Sequence, residues 1–218
     1  EEFYSLPFYV DHRVLVPRND TEILVEKVLK HLKNEPKSET ILIDVGTGSS
    51  AIMTAVVKNS PISFVQVLWL DISTDALEVA KVNVEKNNIQ NQITLFHSDL
   101  LGAILSRNIF LQPAKNIIIT ANLPYIKNGD FENMDKEVLE NEPHIALFGW
   151  ENTGFEMYEK LISQTRELEK LYSVNTTLFI EIWFDQYEYS KEYLSSQWLK
   201  FEYFKDLNNI YRVIKIVN

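Results

Sequence analysis

The sequence predicts an α/β fold with a mostly parallel sheet of seven strands covered by helices. Between residues 40 and 121, short apolar runs alternate with helical patterns, which is typical of parallel strands joined by crossover helices. Near the end of the chain, two further runs at 201–206 and 212–217 flank a turn-rich segment, 206–210. Such a pair predicts an antiparallel hairpin that closes the sheet.

The amino-terminal part is expected to form a short hairpin and a lead-in helix. Residues 3–16 alternate apolar and polar side chains, which favours a hairpin or an extended segment. A cap at Asn19 or Asp20 then predicts a helix to about Leu32, followed by a polar linker at 33–39. We therefore divide the chain into residues 1–35 and a main domain at 36–218.

The elements of the main domain follow from apolar periodicity and from turn residues. Strands are predicted at 40–45, 64–70, 93–97, 116–121, 176–184, 201–206 and 212–217, and helices at 50–58, 74–87, 101–107, 154–170 and 186–194.

Composition excludes several classes of function. The chain has 218 residues, 45% of them hydrophobic, and a formal net charge of -10, which argues against nonspecific binding to nucleic acid. It has no cysteine, which rules out disulfides and thiolate chemistry and fits a reducing compartment, so we expect a cytoplasmic protein. No pair among its four histidines has metal-ligand spacing, and no apolar run reaches about 18 residues, so neither a metal site nor membrane insertion is expected.

A small-residue loop follows the first strand of the main domain. It reads Gly46-Thr47-Gly48-Ser49-Ser50 and leads into a helix. Glycine allows close backbone approach, and a helix start offers free N–H groups, which suits a nucleoside or a carboxylate. The spacing of a phosphate P-loop and the third glycine of a dinucleotide fingerprint are both missing. A simple tight turn is the alternative.

Acidic residues end the next two strands. Asp71 follows the glycine loop by about one βαβ unit, where a carboxylate can accept both hydroxyls of a ribose. Asp99 is placed to bind the exocyclic amine of a base, and Leu100 to pack on its ring. Helix capping is the alternative for both acids.

The fourth motif is Asn122-Leu123-Pro124-Tyr125, at the end of an apolar strand. The Asn122 side-chain oxygen and a backbone carbonyl can together accept both hydrogens of a planar NH2 group, with Tyr125 stacked against it. Pro124 would fix the turn. By itself the motif could equally be a turn. Combined with the other three motifs, it indicates methyl transfer from S-adenosylmethionine to a planar nitrogen.

The sequence resembles the HemK/PrmC family of protein-glutamine methyltransferases over nearly its whole length. The resemblance rests on the Pro-Arg-x-x-Thr-Glu signature at 17–22, the glycine loop at 44–52, the Asp71 segment, the Asn122 motif and the Glu-Pro-x-x-Ala-Leu segment at 142–147. It implies a Rossmann-like class I fold, S-adenosylmethionine as cofactor with S-adenosylhomocysteine as product, and a peptide-chain release factor as partner, methylated on the glutamine of its GGQ motif. We expect a monomer.

The resemblance also implies roles for individual residues. The loop from Gly46 to Ser50 would line the cofactor, and Arg18 and Thr21 would lie at the mouth of the substrate pocket. Two residues depart from the family pattern, since Ser50 replaces a glycine and Leu123 replaces a proline. The helical amino-terminal domain that helps these enzymes hold release factors has no counterpart here. Either a longer protein carries it upstream of Glu1 or this protein lacks it.

Two other functions stay open at this point. An adenine amino group in DNA or RNA is also a planar amine, although the net charge of -10 disfavours that substrate. A methyltransferase-like binding module without strong activity is the third hypothesis, for which the replacements at Ser50 and Leu123 are the grounds.

Overall fold

A seven-stranded sheet organises the computed structural model, which describes residues 1–34, 39–124, 143 and 153–217. Its strands run in the spatial order β5-β4-β3-β6-β7-β9-β8, parallel except for β9, which is antiparallel to both of its neighbours. A separate two-stranded sheet lies near the amino terminus. The strands are β1 (Glu2–Phe3), β2 (Leu6–Pro7), β3 (Thr40–Val45), β4 (Gln66–Asp71), β5 (Thr94–His97), β6 (Asn116–Ala121), β7 (Asn175–Glu181), β8 (Lys200–Lys205) and β9 (Tyr211–Val217).

Helices in the described ranges connect the strands and cover both faces of the sheet. They are α1 (Glu22–Leu32), α2 (Ala51–Asn59), α3 (Thr74–Lys86), α4 (Gly102–Leu105), α5 (Glu156–Tyr172) and α6 (Tyr187–Ser196), with 3-10 turns at Asn19–Thr21 and Phe184–Gln186. None of the helices in this part of the chain combines the length and the apolar character needed to cross a bilayer.

The alternating side chains of β3 feed two hydrophobic cores. All six residues of the strand are buried, as expected for a central parallel strand. Ile41 and Ile43 join the core on the side of α5, whereas Leu42 joins the core formed by α1 and α2. Helix α1 therefore packs on the same sheet as the rest of the chain. The division at residues 35 and 36 stays a prediction.

The predicted fold class is confirmed, with some differences at element ends. The expected hairpin over residues 3–16 is only the pair β1–β2, and no strand forms between Phe8 and Arg18. Strand β7 stops at Glu181 rather than at 184 because Trp183 opens a 3-10 turn. Gln186 holds this turn, since its Oε1 accepts from the Trp183 N–H at 2.9 Å and its Nε2 donates to the Gly154 carbonyl at 2.8 Å.

The register of the parallel strands places the carboxyl ends of β3, β4, β6 and β7 along one edge of the sheet. Val45 lies opposite Leu70 and Ala121, and Ala121 lies opposite Ile180. The residues that follow these positions are Gly46, Asp71, Asn122 and Glu181. This carboxyl edge is where open α/β sheets bind ligands.

Candidate active site

A cavity of about 590 Å3 opens at the carboxyl edge of the sheet. A volume of this size is typical of small-molecule and cofactor sites. It brings together twelve of the residues predicted from sequence: Arg18, Thr21, Gly46, Thr47, Gly48, Ser49, Asp71, Asp99, Leu100, Asn122, Leu123 and Pro124. Tyr125 and the segment 144–147 lie outside the described residues.

The glycine loop forms one wall of the cavity and requires glycine at its start. Gly46 has φ +71°, and its N–H donates to the Leu70 carbonyl at 2.8 Å. A Cβ atom on Gly46 would lie 2.8 Å from Cδ2 of Leu123, which is too close for real atoms. Gly48 also has a positive φ, but a Cβ there would meet nothing within 4 Å. The loop is thus packed against the Asn122 motif at one glycine and open to a ligand at the other.

Ser50 lies beneath this loop rather than in the cavity wall. It is fully buried and has φ +66°, a left-handed conformation that disfavours residues with a Cβ. This explains why helix α2 begins at Ala51, one residue later than predicted. The family glycine at this position would adopt the same φ without strain. The predicted contact between Ser50 and a cofactor stays a prediction.

Asp71 is buried at the end of β4 and fastens the glycine loop. Its Oδ2 accepts from the Gly48 N–H at 2.9 Å, and its Oδ1 accepts from the Ser73 N–H at 2.8 Å. Burial raises the pKa of Asp71, while these backbone N–H groups and the nearby His97 oppose the rise. Each carboxylate oxygen can accept more than one hydrogen bond, so the two oxygens of Asp71 can still accept from two hydroxyl groups of a ligand.

The Asp99 and Leu100 corner closes another side of the cavity. Asp99 forms an ion pair with Lys160 of α5, with Nζ and Oδ2 2.6 Å apart. Both side chains are about half exposed, so the pair adds little stability and can exchange for a ligand. Leu100 is buried with φ +50°, and its carbonyl accepts from the Ser98 hydroxyl at 2.7 Å.

The backbone of the Asn122 motif is held by Tyr158, a fully buried residue of α5. Its hydroxyl accepts from the Leu123 N–H at 2.9 Å and donates to the carbonyl of Glu181. The strand end of β7 and the turn after β6 are therefore joined through one phenol. This fixes the peptide plane before Leu123, next to the side chain of Asn122.

Glu181 is a buried residue whose backbone is joined to this turn through Tyr158. Burial raises its pKa to about 7, and the repulsion of Asp20 acts in the same direction. The hydroxyl of Thr21, the charge of Arg212 and the amide of Asn122 favour its ionised form. One of its oxygens, Oε2, has no hydrogen-bond partner among the described residues.

Four residues that matter to this geometry were not predicted as site residues: Tyr158, Lys160, Glu181 and Asn83. The first three come from elements that follow the motifs by 35 residues or more, so only the fold brings them to the Asn122 turn or to Asp99. Asn83 carried a local signal, because it is a polar residue on the buried face of α3. It accepts from the Tyr9 N–H at 2.6 Å and donates to the Ser49 carbonyl at 2.9 Å, which ties the amino-terminal segment to the glycine loop.

Comparisons with known proteins agree with the motifs. The model of the ribosomal protein L11 methyltransferase (PrmA) family matches residues 25–129. A release factor glutamine methyltransferase from Mycoplasma mycoides subsp. mycoides SC is 32% identical over 222 residues, covering 99% of this chain and 73% of the relative. The chain belongs to the release factor glutamine methyltransferase family.

Other members of this family match at similar levels. The release factor glutamine methyltransferase of Clostridium acetobutylicum is 36% identical over 169 residues, which cover 78% of this chain and 56% of that protein. That of Flavobacterium psychrophilum is 35% identical over 186 residues. Against these relatives, the chain spans rather more than half of their length.

Solved structures with the same fold include methyltransferases. The N-terminal domain of human METTL16 in complex with SAH superposes with a TM-score of 0.61 at 17% identity, covering 99% of this chain and 76% of that one. The ribosomal protein L11 methylase of Lactobacillus delbrueckii subsp. bulgaricus superposes with a TM-score of 0.57 at 17% identity, covering 93% and 80%. These likenesses establish a shared class I methyltransferase fold.

Proposed function

We propose that the protein transfers a methyl group from S-adenosylmethionine to the side-chain amide nitrogen, N5, of the glutamine in the GGQ motif of a peptide-chain release factor. S-adenosylhomocysteine is the second product. Membership of the release factor glutamine methyltransferase family supports this substrate, and the chemistry of the cavity supports the reaction.

The observation that carries the proposal is the position of Asn122. It follows β6 at the carboxyl edge and lines the same cavity as the glycine loop and Asp71. Its side-chain oxygen and the carbonyl of Leu123 are acceptors that a primary amide can satisfy with its two N–H groups. Tyr125 is proposed to stack on that amide, on the basis of the sequence alone.

The residues at the other end of the cavity fit S-adenosylmethionine. The open side of Gly48 admits the amino-acid part, and the two oxygens of Asp71 can accept the hydroxyls of a ribose. Leu100 supplies an apolar surface for the base, beside Asp99. The bound cofactor supplies an electrophilic methyl group on a sulfonium centre.

The protein's own contribution is orientation. An amide nitrogen is a weak nucleophile, and holding it in line with the methyl carbon removes much of the entropic part of the barrier. The acceptors on Asn122 and Leu123 also favour the positive charge that develops on the nitrogen as the N–C bond forms. The nitrogen then loses one proton to solvent, so no dedicated general base is needed.

We further propose that the protein works as a monomer in the cytoplasm and that nucleic acid is not its substrate. The net charge of -10 supports the last point, because binding a nucleic-acid strand relies on cationic side chains. The absence of cysteine fits a reducing compartment.

The test is transfer of tritiated methyl from S-adenosylmethionine to a purified release factor, with bulk RNA and bulk DNA as parallel acceptors. We expect label in the release factor, and none when its GGQ glutamine is replaced. Label in nucleic acid but not in the release factor would overturn the proposal.

The variant Asn122→Ala should nearly abolish turnover while leaving cofactor affinity within about tenfold, because its main hydrogen bond is to substrate. Asn208→Ala, at an exposed turn, is the matched control and should behave as wild type. A large loss of cofactor affinity with normal turnover at saturation would contradict the role given to Asn122. Calorimetry with S-adenosylmethionine measures the affinity directly.

A further inference from the structure

Glu181 and Asn122 lie next to each other at the carboxyl edge of the sheet. Ala121 and Ile180 are opposite each other in the register of β6 and β7, so the next residue of each strand falls at the same level. Glu181 is 5% exposed, and Asn122 lines the cavity. The Asn122 amide is one of the groups that lower the pKa of Glu181 and so favour its ionised form.

An ionised carboxylate dictates which end of the neighbouring amide faces it. A carboxylate has only acceptors, whereas an asparagine amide has a donor NH2 end and an acceptor oxygen end. An Asn122 amide that faces an ionised Glu181 turns its NH2 end toward the carboxylate. Its Oδ1 is then the atom left for the cavity, and Oδ1 is the acceptor that a substrate NH2 group needs.

The groups around Glu181 act on its pKa in opposite directions. Arg212 of β9 and the hydroxyl of Thr21 favour ionisation, whereas burial and Asp20 oppose it. Arg212 itself is shared, since its Nη2 lies 3.2 Å from Asp20 and its Nε 3.0 Å from Asp206. From α5, the hydroxyl of Tyr158 donates to the backbone carbonyl of Glu181.

We propose that Glu181 is a positioning residue that holds the Asn122 amide with its oxygen directed at the substrate nitrogen. This inference rests on the proposed function for its catalytic consequence, but the coupling between the two side chains can be measured without substrate. It also gives Thr21, part of the Pro-Arg-x-x-Thr-Glu signature, a task in the site, because Thr21 helps keep Glu181 ionised.

Protonation of Glu181 should release this constraint. A neutral carboxyl group carries one O–H donor, which can bind Asn122 Oδ1 and stabilise the flipped amide. The flipped amide presents NH2 to the substrate NH2, and two donors cannot bind each other. With a pKa of about 7, the ionised fraction falls about tenfold between pH 8 and pH 6, so turnover should fall by a similar factor.

The kinetic test compares wild type, Glu181→Gln and Thr21→Val from pH 6 to pH 9 with a release factor as acceptor. Glutamine keeps the volume but carries its own donor, so Glu181→Gln should lower kcat at pH 8 by about tenfold and remove the acid limb of the profile. Thr21→Val should move that limb to higher pH. Both variants should keep cofactor affinity within about threefold of wild type.

The control for these kinetics is Glu169→Gln. This carboxylate accepts from the Thr176 N–H and hydroxyl at the opposite end of the same strand, β7. It should leave kcat and the pH profile unchanged even if it lowers the melting temperature. An acid limb that persists in Glu181→Gln would overturn the proposal, as would an equal loss of kcat in Glu169→Gln.

An NMR titration separates this inference from the proposed function. The side-chain 15N resonance of Asn122 should shift with the same midpoint as the carboxyl 13C resonance of Glu181, and the Asn122 shift should vanish in Glu181→Gln. If wild type methylates no release factor but this coupling is observed, the proposed function fails and the coupling stands. A side-chain 15N shift of Asn122 that stays constant as Glu181 titrates would overturn the positioning role.

Discussion

Removing a single hydroxyl group, in Tyr158→Phe, should destabilise the fold and loosen the turn at Asn122 and Leu123. That hydroxyl accepts from the Leu123 N–H and donates to the Glu181 carbonyl, and the ring is fully buried. The substitution leaves one buried N–H and one buried carbonyl without partners, at a cost of about 1–2 kcal/mol each. A total loss of about 2–4 kcal/mol lowers the melting temperature of a chain of this size by roughly 5–12 °C.

Urea unfolding followed by tryptophan fluorescence gives the free energy of unfolding. Tyr172→Phe is the matched control, because Tyr172 lies at the end of the same helix and its hydroxyl makes no hydrogen bond within the described residues. In the methyl-transfer assay, Tyr158→Phe should lower kcat by about tenfold because the Leu123 peptide is no longer fixed. Cofactor affinity should change less than about threefold. A loss of stability below about 0.5 kcal/mol would refute the reasoning.

Three further substitutions test Gly46, Asp71 and Glu181. Gly46→Ala should lower the free energy of unfolding by about 1–3 kcal/mol and reduce turnover, because its Cβ would lie 2.8 Å from Leu123 and φ is +71°. Thermal unfolding measures the stability and the transfer assay measures turnover. A variant with unchanged stability and turnover would contradict the close packing. Asp71→Asn should weaken S-adenosylmethionine binding, measured by calorimetry, at least about tenfold, because the amide has a donor where the carboxylate accepts from Gly48. The control Asp75→Asn, at an exposed residue, should leave the binding unchanged. Glu181→Gln should gain stability over wild type as pH rises from 4.5 to 8, because the folded pKa of Glu181, about 7, lies above its unfolded value of 4.5. Ionisation of Glu181 destabilises wild type by up to about 3.4 kcal/mol across that window. Equal pH dependence in wild type and Glu181→Gln would contradict the last prediction.

The sequence was sufficient for the sheet and for the motif positions because both depend on local patterns. Apolar runs predict strands, and the residues that end parallel strands must share one edge of the sheet. This is why the sequence alone places Gly46, Asp71 and Asn122 in one predicted site. The sequence also shows that Ser50 replaces the family's glycine. It does not show the left-handed φ of Ser50, because residue type alone does not determine backbone conformation at a serine.

The supporting residues could not be predicted for the opposite reason. Tyr158 reaches Leu123 only because α5 packs against the end of β6, and Lys160 meets Asp99 only through the same packing. Glu181 required both the register of β6 with β7 and the place where β7 stops. Each depends on side-chain distances between elements that are far apart in the chain, and periodicity carries no information about those distances.

Three buried acids near the carboxyl edge of the sheet lower the stability of the fold at neutral pH. Asp44, Asp71 and Glu181 lie on β3, β4 and β7, and burial raises the pKa of all three. Asp44 accepts from the Thr120 hydroxyl at 2.6 Å, but its Oδ2 has no partner within the described part of the chain. Ionising such groups opposes folding at neutral pH, whereas the apolar faces of the same strands favour it. Because Glu181 adjoins Asn122 and burial raises its pKa, its neutral replacement should exchange activity for stability.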